Sequence, residues 1–147
     1  MKAIQITAFG GPDVMKYVDL ADPVAGTDEV VLDVTAVGIN YADTHQTENS
    51  YLSPQTLPMI PGIEVVGTHA GKRYLASVSS GGYAQKAIAH TSVLFPIPDA
   101  VTDEQALCML VQGATAWHLL KTMGNLQKGQ SVVVHAAAGG VGTIAIQ

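Results

Sequence analysis

Gly139, Gly140 and Gly142 fall in one short stretch, Ala137-Ala138-Gly139-Gly140-Val141-Gly142, between the run Ser131 to His135 and the apolar residues Thr143 to Ile146. An apolar strand leading through a glycine turn into a helix is the unit that holds a nucleotide phosphate. Glycine lets the backbone turn tightly and approach the ligand, and the bare N–H groups at the helix start, with its dipole, hold the negative charge. Glycines alone serve many loops; the strand before this turn and the helix start after it favour contact with a cofactor diphosphate. The charged residue that completes such a motif about 20 positions further on falls past Gln147.

Other chemistry is sparse. The five histidines, His45, His69, His90, His118 and His135, sit at no metal-ligand spacing, and with one cysteine no tetrahedral Cys/His site can be assembled. No metal is expected. Cys108, flanked by Ala106, Leu107, Met109 and Leu110, reads as a small buried helix residue without a disulfide partner, which fits a reducing, cytoplasmic setting. The net charge of −5 comes with scattered Lys and Arg, which excludes nucleic acid as a partner. The start, MKAIQITAFGG, has no signal-peptide character, and no window of about 18 residues is continuously apolar, so neither export nor a membrane partner is expected. Charged residues make up only 13% of the chain, against about 25% in ordinary globular proteins. Such a chain has apolar surface to spare, to be covered by a partner subunit or the rest of a longer protein.

The elements that position these residues change character near residue 100. Before it, short strands alternate with turns. Ile4 and Ile6 precede the turn Phe9 to Asp13, and Val14 to Leu20 returns as a hairpin. Glu29 to Val37 alternates as a half-buried strand, closed by Gly38-Ile39-Asn40. Asp43 to Tyr51 reads as a short helix and loop, and Pro54, Pro58 and Pro61 keep the next segment extended. Further strands near Glu64 to Thr68, Arg73 to Val78 and Tyr83 to Ala89 complete a small barrel. Thr102 with Gln105 three residues on then forms a capping box. Leu107, Leu110, Val111, Ala114, Trp117 and Leu120 follow at helical spacing, Gly113 marks a break or close backbone approach, and Gly124-Asn125 ends the helix.

Taken together, these motifs resemble the zinc-independent, zeta-crystallin-like quinone oxidoreductases of the medium-chain dehydrogenase/reductase superfamily. The signature runs from Gly129-Gln130 through Ala137-Ala138-Gly139-Gly140-Val141-Gly142 to Gln147, with Val133 where the pattern usually has leucine. Supporting matches are Val37 to Asn40 with Asp43, Ile60-Pro61-Gly62-Ile63-Glu64, Gly82-Tyr83-Ala84, and Gln112-Gly113-Ala114-Thr115-Ala116. The resemblance implies a mainly β fold with helices. Residues 1–101 form a GroES-like, partly open β-barrel serving as the catalytic and substrate domain, 102–128 the connecting helices, and 129–147 the first βα unit of an incomplete Rossmann domain. It also implies hydride transfer from NADPH to a quinone or conjugated enone. Zinc-dependent relatives carry a cysteine near the position of Asn40 and a histidine at that of Ile63, and this chain has neither.

Site residues follow by the same resemblance. Asn40 and His45 face the nicotinamide end of the cleft, His45 standing where relatives often have tyrosine; Thr115 lies near the nicotinamide. Ala138, Gly139, Gly140, Val141 and Gly142 cradle the diphosphate. Tyr51 takes the place of a proton-donating tyrosine, since a phenol remains protonated at neutral pH and can give its proton to an enolate. Asn40 is the second residue assigned to catalysis. Each has a structural reading beside the functional one: Asn40 ending a strand and bonding to local backbone, Tyr51 as a surface aromatic, Thr115 as a plain helix residue, Asp43 and Glu64 fixing local structure. Asn49 stands where the family often has glycine, a position an asparagine tolerates in the left-handed conformation.

The resemblance covers the whole chain but only about the first half of a family member. The 147 residues are therefore expected to be inactive alone, with no cofactor bound, because the adenosine half of a dinucleotide needs strands that are missing. Ser131 to His135 is expected to be disordered, displaced, or paired with another molecule, giving homo-oligomers through exposed strand edges. The alternative from a different class is a non-enzymatic GroES-like binding or structural module that associates through its sheet edges.

Overall fold

A computed structural model describes residues 1–147. The hairpin forms as the alternation dictates: β1 (Lys2–Gln5) pairs antiparallel with β2 (Lys16–Asp19). A five-stranded antiparallel sheet follows, built from β3 (Glu29–Val37), β4 (Glu64–His69), β5 (Lys72–Ser77), β6 (Lys86–His90) and β7 (Leu94–Pro96) in the order β6-β3-β4-β5-β7. The segment before β6 bonds to β1, with Ile4 N–H donating to Tyr83 O and Gln85 N–H to Lys2 O; a second bridge joins Ile6 to Met59. These links curl the two sheets into the partly open barrel. β6 consequently starts at Lys86 rather than near Tyr83. β7, ending in Pro96, is an edge strand that the sequence pattern does not reveal, because a proline at a strand end reads equally well as a turn.

Strand periodicity accounts for the core. Leu32, Val65, Ala76, Val78, Ala87 and Ala89 fill one side of the sheet, while Val66 and Leu75, pointing the other way, meet Ala106 of α2 (Asp103–Cys108). β4 is buried on both faces for that reason. The expected capping box is present, Thr102 Oγ1 accepting from Gln105 N–H at 3.2 Å and Gln105 Oε1 from Thr102 N–H at 3.0 Å. A β-bulge between Val34 and Ala36 turns Thr35 toward this helix, where its hydroxyl donates to Asp103 at 2.7 Å. Arg73 from β5 completes the latch, donating to Asp103 at 2.7 Å and to the carbonyls of Val101 and Pro98 at 2.7 and 3.2 Å.

The helix departs from the expected register. A π segment, Met109–Gly113, separates α2 from α3 (Ala114–Trp117), and a second, His118–Met123, follows. Each π turn holds an extra residue, so the apolar stripe drifts away from a 3.6-residue period. The buried positions are Ala106, Gly113 and Ala116, whereas Ala114 and Trp117 are exposed. Gly113 causes no break; it is a point of close approach, with Met109 Cε 3.1 Å from where a Cβ would stand. Cys108 is exposed, not buried as its apolar neighbours implied, because it lies on the far side of α2 from Ala106.

Ser131 to His135 does not form a strand. Residues 131–134 have no strand partner, and Val133 is 80% exposed. A strand exists through its ladder, and nothing lies alongside to supply one. The following helix, α4 (Gly140–Ala145), does form. Exposed Met109, Trp117, Leu119, Met123, Val132 and Ile146 accompany Val133 in the last third of the chain, while Val24, Ile39, Tyr41 and Leu52 are exposed in the barrel part. No helix is long and apolar enough to cross a membrane.

Candidate active-site network and glycine turn

α1 (Tyr41–Thr47) is capped in an unequal way that frees one side chain for other work. The Asp43 carboxylate reaches back to accept from Asn40 N–H at 2.8 Å, so the helix start is satisfied from its third residue. The Asn40 carboxamide points elsewhere. Its Nδ2 donates to Glu64 Oε1 at 2.8 Å, and its Oδ1 accepts from Gln112 Nε2 at 2.7 Å. Glu64 Oε2 accepts from Val111 N–H at 3.3 Å. A strand-end residue open to a purely local reading thus ties the barrel to the π turn.

Glu64 is only 1% exposed. Burial raises its pKa above the ordinary glutamate value; hydrogen bonds from Asn40 and Val111 pull against that, and the nearby Asp43 charge adds to the rise. Gly38 makes room for the carboxylate, since a Cβ there would stand 2.1 Å from Glu64 Oε1. Tyr83 donates its hydroxyl to Asp43 Oδ2 at 2.8 Å, and burial first, then Asp43, pushes the phenol well above its usual range. The Tyr83 ring lies over Gly62, which has φ +93° and whose Cβ would approach the ring to 2.5 Å. Asp43 Oδ1 and Gln46 Oε1 are buried without a protein partner.

His45 and Tyr51 lie further along the same segment. His45 Nδ1 meets Ser50 Oγ at 2.9 Å and its ring packs edge-on against Tyr41. Asn49 has φ +55°, the left-handed conformation that suits asparagine in place of glycine. Tyr51, 38% exposed, follows in the loop. Thr115 is exposed on α3.

In the glycine turn, no protein acceptor takes the N–H groups of Gly140, Val141 and Gly142, whereas Gly139 N–H bonds Ala136 O at 2.9 Å and Thr143 N–H bonds Gly139 O at 2.9 Å. Gly142 is indispensable to this shape: a Cβ would stand 2.3 Å from Ala136 O and 2.6 Å from Ala137 Cα. These three free amides on a tightly packed turn fit the diphosphate of a dinucleotide. Ala138 is exposed beside them.

Two hollows adjoin the turn. The larger, about 510 Å³, is lined chiefly by apolar residues such as Leu119, Leu120 and Val132 to Val134. The smaller, about 350 Å³, lies where the barrel meets α4 and brings Gly38, Ile39, Glu64 and Gln112 together with Gly140 and Thr143. The larger also takes in Gly139 to Gly142, and the second brings the Glu64 carboxylate and the Gln112 carboxamide up to the turn. Asn40 and the turn, a hundred positions apart, are therefore linked through one side chain, Gln112, which belongs to a sequence motif that by itself gives it no role. The signal available is its place directly before Gly113. His45, Tyr51 and Thr115 do not line this cleft. No group of three or more His, Cys, Asp and Glu side chains is arranged to hold a metal.

Comparison with known proteins agrees with this construction. Residues 26–71 match the alcohol dehydrogenase GroES-like domain. Over its full length the chain is 34% identical to human quinone oxidoreductase, covering 49% of that protein. It superposes over 99% of its residues, with a TM-score of 0.92 and 40% identity, on 48% of the quinone oxidoreductase from Thermus thermophilus, whose structure is known also in complex with NADPH. Over its whole length the chain is thus similar to an N-terminal portion of the quinone oxidoreductases of the medium-chain dehydrogenase/reductase superfamily. The human synaptic vesicle membrane protein VAT-1 homolog is also similar, at 35% identity over the whole chain and 41% of that protein. The chain spans about half the length of the curated relatives it matches. In this fold the glycine turn lies beside the barrel, where the cleft forms.

Proposed function

We propose that this chain supplies the substrate barrel and the diphosphate turn of a zinc-independent, NADPH-dependent oxidoreductase that reduces a quinone or conjugated enone. The observation that carries the reading is the trio of acceptor-free amides at Gly140, Val141 and Gly142, on a turn whose tightness only glycine at 142 permits. NADPH, when bound, supplies the hydride. The chain's residues do the rest. The glycine turn, with Ala138 and Gly139 at its start, holds the diphosphate; Asn40, His45 and Thr115 border the nicotinamide; Tyr51 Oη gives a proton to the substrate oxygen as negative charge develops there. The NADPH complex of the similar Thermus protein supports NADPH as the cofactor. A reducing, cytoplasmic setting goes with this reading and with the single free cysteine.

Alone, the chain offers the glycine turn and α4 without a paired strand or a surface for the adenosine half, and it is expected to be inactive and to hold no dinucleotide tightly. The test titrates NADPH, by its fluorescence, into the chain and into the chain joined to the C-terminal half of the Thermus quinone oxidoreductase. Binding by the joined form only is the expected result. Failure of both overturns the reading in favour of a non-enzymatic module that associates through its sheet edges. The unpaired residues 131–134, with Val132 and Val133 exposed, give that second reading its support. It predicts homo-oligomers by sedimentation that dissociate on changing Val133 to Lys.

A further inference from the structure

The Glu64, Asn40 and Gln112 side chains form a line whose direction is fixed at one end. Both Glu64 oxygens accept, Oε1 from Asn40 Nδ2 and Oε2 from Val111 N–H. An acceptor at that end obliges Asn40 to turn its NH₂ toward Glu64 and its oxygen toward Gln112. Gln112 must then direct its own NH₂ to Asn40, at 2.7 Å, which leaves its carbonyl oxygen with no hydrogen bond from the chain. Gln112 is half-buried, lines the cleft of about 350 Å³, and packs against the glycine turn, its Cγ 3.1 Å from where a Gly140 Cβ would stand. The π segment Met109–Gly113 serves both ends of the line, presenting the Val111 N–H to Glu64 and the Gln112 side chain to Asn40. π turns often mark such functional placements.

We propose that Gln112 is a ligand-contacting residue, whose side-chain oxygen, oriented by Glu64 through Asn40, accepts a hydrogen bond from an N–H or O–H donor on the molecule held at the glycine turn. Building on the proposed function, that donor is the carboxamide of the nicotinamide or a hydroxyl of its ribose. Gln112 supplies the carboxamide acceptor of a cleft that also holds Glu64, Glu104, Cys108 and Thr143, and Asn40 and Glu64 act through it as positioning residues.

The probe is reduced nicotinamide mononucleotide, titrated at millimolar concentration into the joined form with the Thermus C-terminal half, isotope-labelled, and followed by NMR at the backbone amides of Gly140 to Gly142 and at the side-chain carbonyl carbon of Gln112. Shifts at both places are expected. The analogue in which a methyl ketone replaces the carboxamide loses the Gln112 shift if the carboxamide is the donor and retains it if the ribose is. Gln112→Met weakens the mononucleotide by about three- to tenfold, the worth of one hydrogen bond. Glu64→Gln, which no longer dictates the direction of the line, reduces the Gln112 shift while leaving the turn amides responsive. Shifts at Gly140 to Gly142 with none at Gln112 overturn this inference alone; silence at both overturns it together with the proposed function.

Discussion

Gln112 donates to Asn40 at 2.7 Å across 72 positions of sequence, and that bond joins the barrel to the helix in front of the glycine turn. In the buried polar line behind it both the nitrogen and the oxygen of the Asn40 carboxamide have a partner, which makes each member costly to remove.

Glu64→Ala leaves Asn40 Nδ2 and Val111 N–H without acceptors in a buried place and is expected to cost about 1–3 kcal/mol in urea unfolding. The isosteric Glu64→Gln costs less. Because the folded-state pKa of Glu64 is raised, the native chain binds the proton more tightly than the unfolded one. Its contribution to stability is therefore present at low pH and is lost as pH rises from the ordinary value of 4.5 through the folded value. The stability difference between wild type and Glu64→Gln shifts in favour of the variant over that interval. A difference independent of pH contradicts the assignment.

At the glycine turn, Gly142→Ala and Gly139→Ala separate tight packing from mere glycine content. The first would put a Cβ 2.3 Å from Ala136 O, the second 3.3 Å from the same atom. Gly142→Ala is expected to destabilise α4 by about 1–3 kcal/mol and to eliminate NADPH binding in the joined form. Gly139→Ala, with φ −80° in the ordinary range, is expected to change either by much less. Amide hydrogen exchange over residues 139–146 and the fluorescence titration are the measurements.

Gly62 and Tyr83 make a second contrast. Gly62→Ala combines a φ of +93° with a Cβ 2.5 Å from the Tyr83 ring, and a loss of about 2 kcal/mol or more in thermal unfolding is expected. Tyr83→Phe removes only the hydroxyl that donates to Asp43, for about 1 kcal/mol. The double variant Gly62→Ala with Tyr83→Ala recovers part of the loss if the ring is the obstacle.

The latch between β5 and α2 rests on Arg73, which donates to Asp103, Val101 O and Pro98 O. Arg73→Ala is expected to lower stability by about 1–2 kcal/mol, discounted for partial exposure. Arg73→Lys recovers little, since one ammonium cannot span three acceptors fixed for a planar fork. High salt narrows the difference only slightly if the carbonyl contacts dominate, and closes it if the Asp103 ion pair does.

Much of the fold was legible in the sequence. The alternation in Glu29 to Val37, the hairpin after Ile4, the Thr102–Gln105 cap and the glycine turn were all readable because each is carried by residues within a few positions of one another. So was the family resemblance. Features that depend on what packs alongside were not. The π turns that displaced the helical stripe, the exposure of Cys108, the edge strand β7 and the unpaired state of 131–134 all followed from contacts, or missing contacts, with distant segments. At the candidate site the residues themselves singled out the glycine turn, and the family resemblance added Ala138, Asn40, His45, Tyr51 and Thr115. Only the tertiary structure decided that the Asn40 carboxamide faces Glu64 and Gln112 instead of its own helix. A side-chain hydrogen bond has no period and leaves no local trace, and its partners are chosen when β4, α1 and the π turn close on one another.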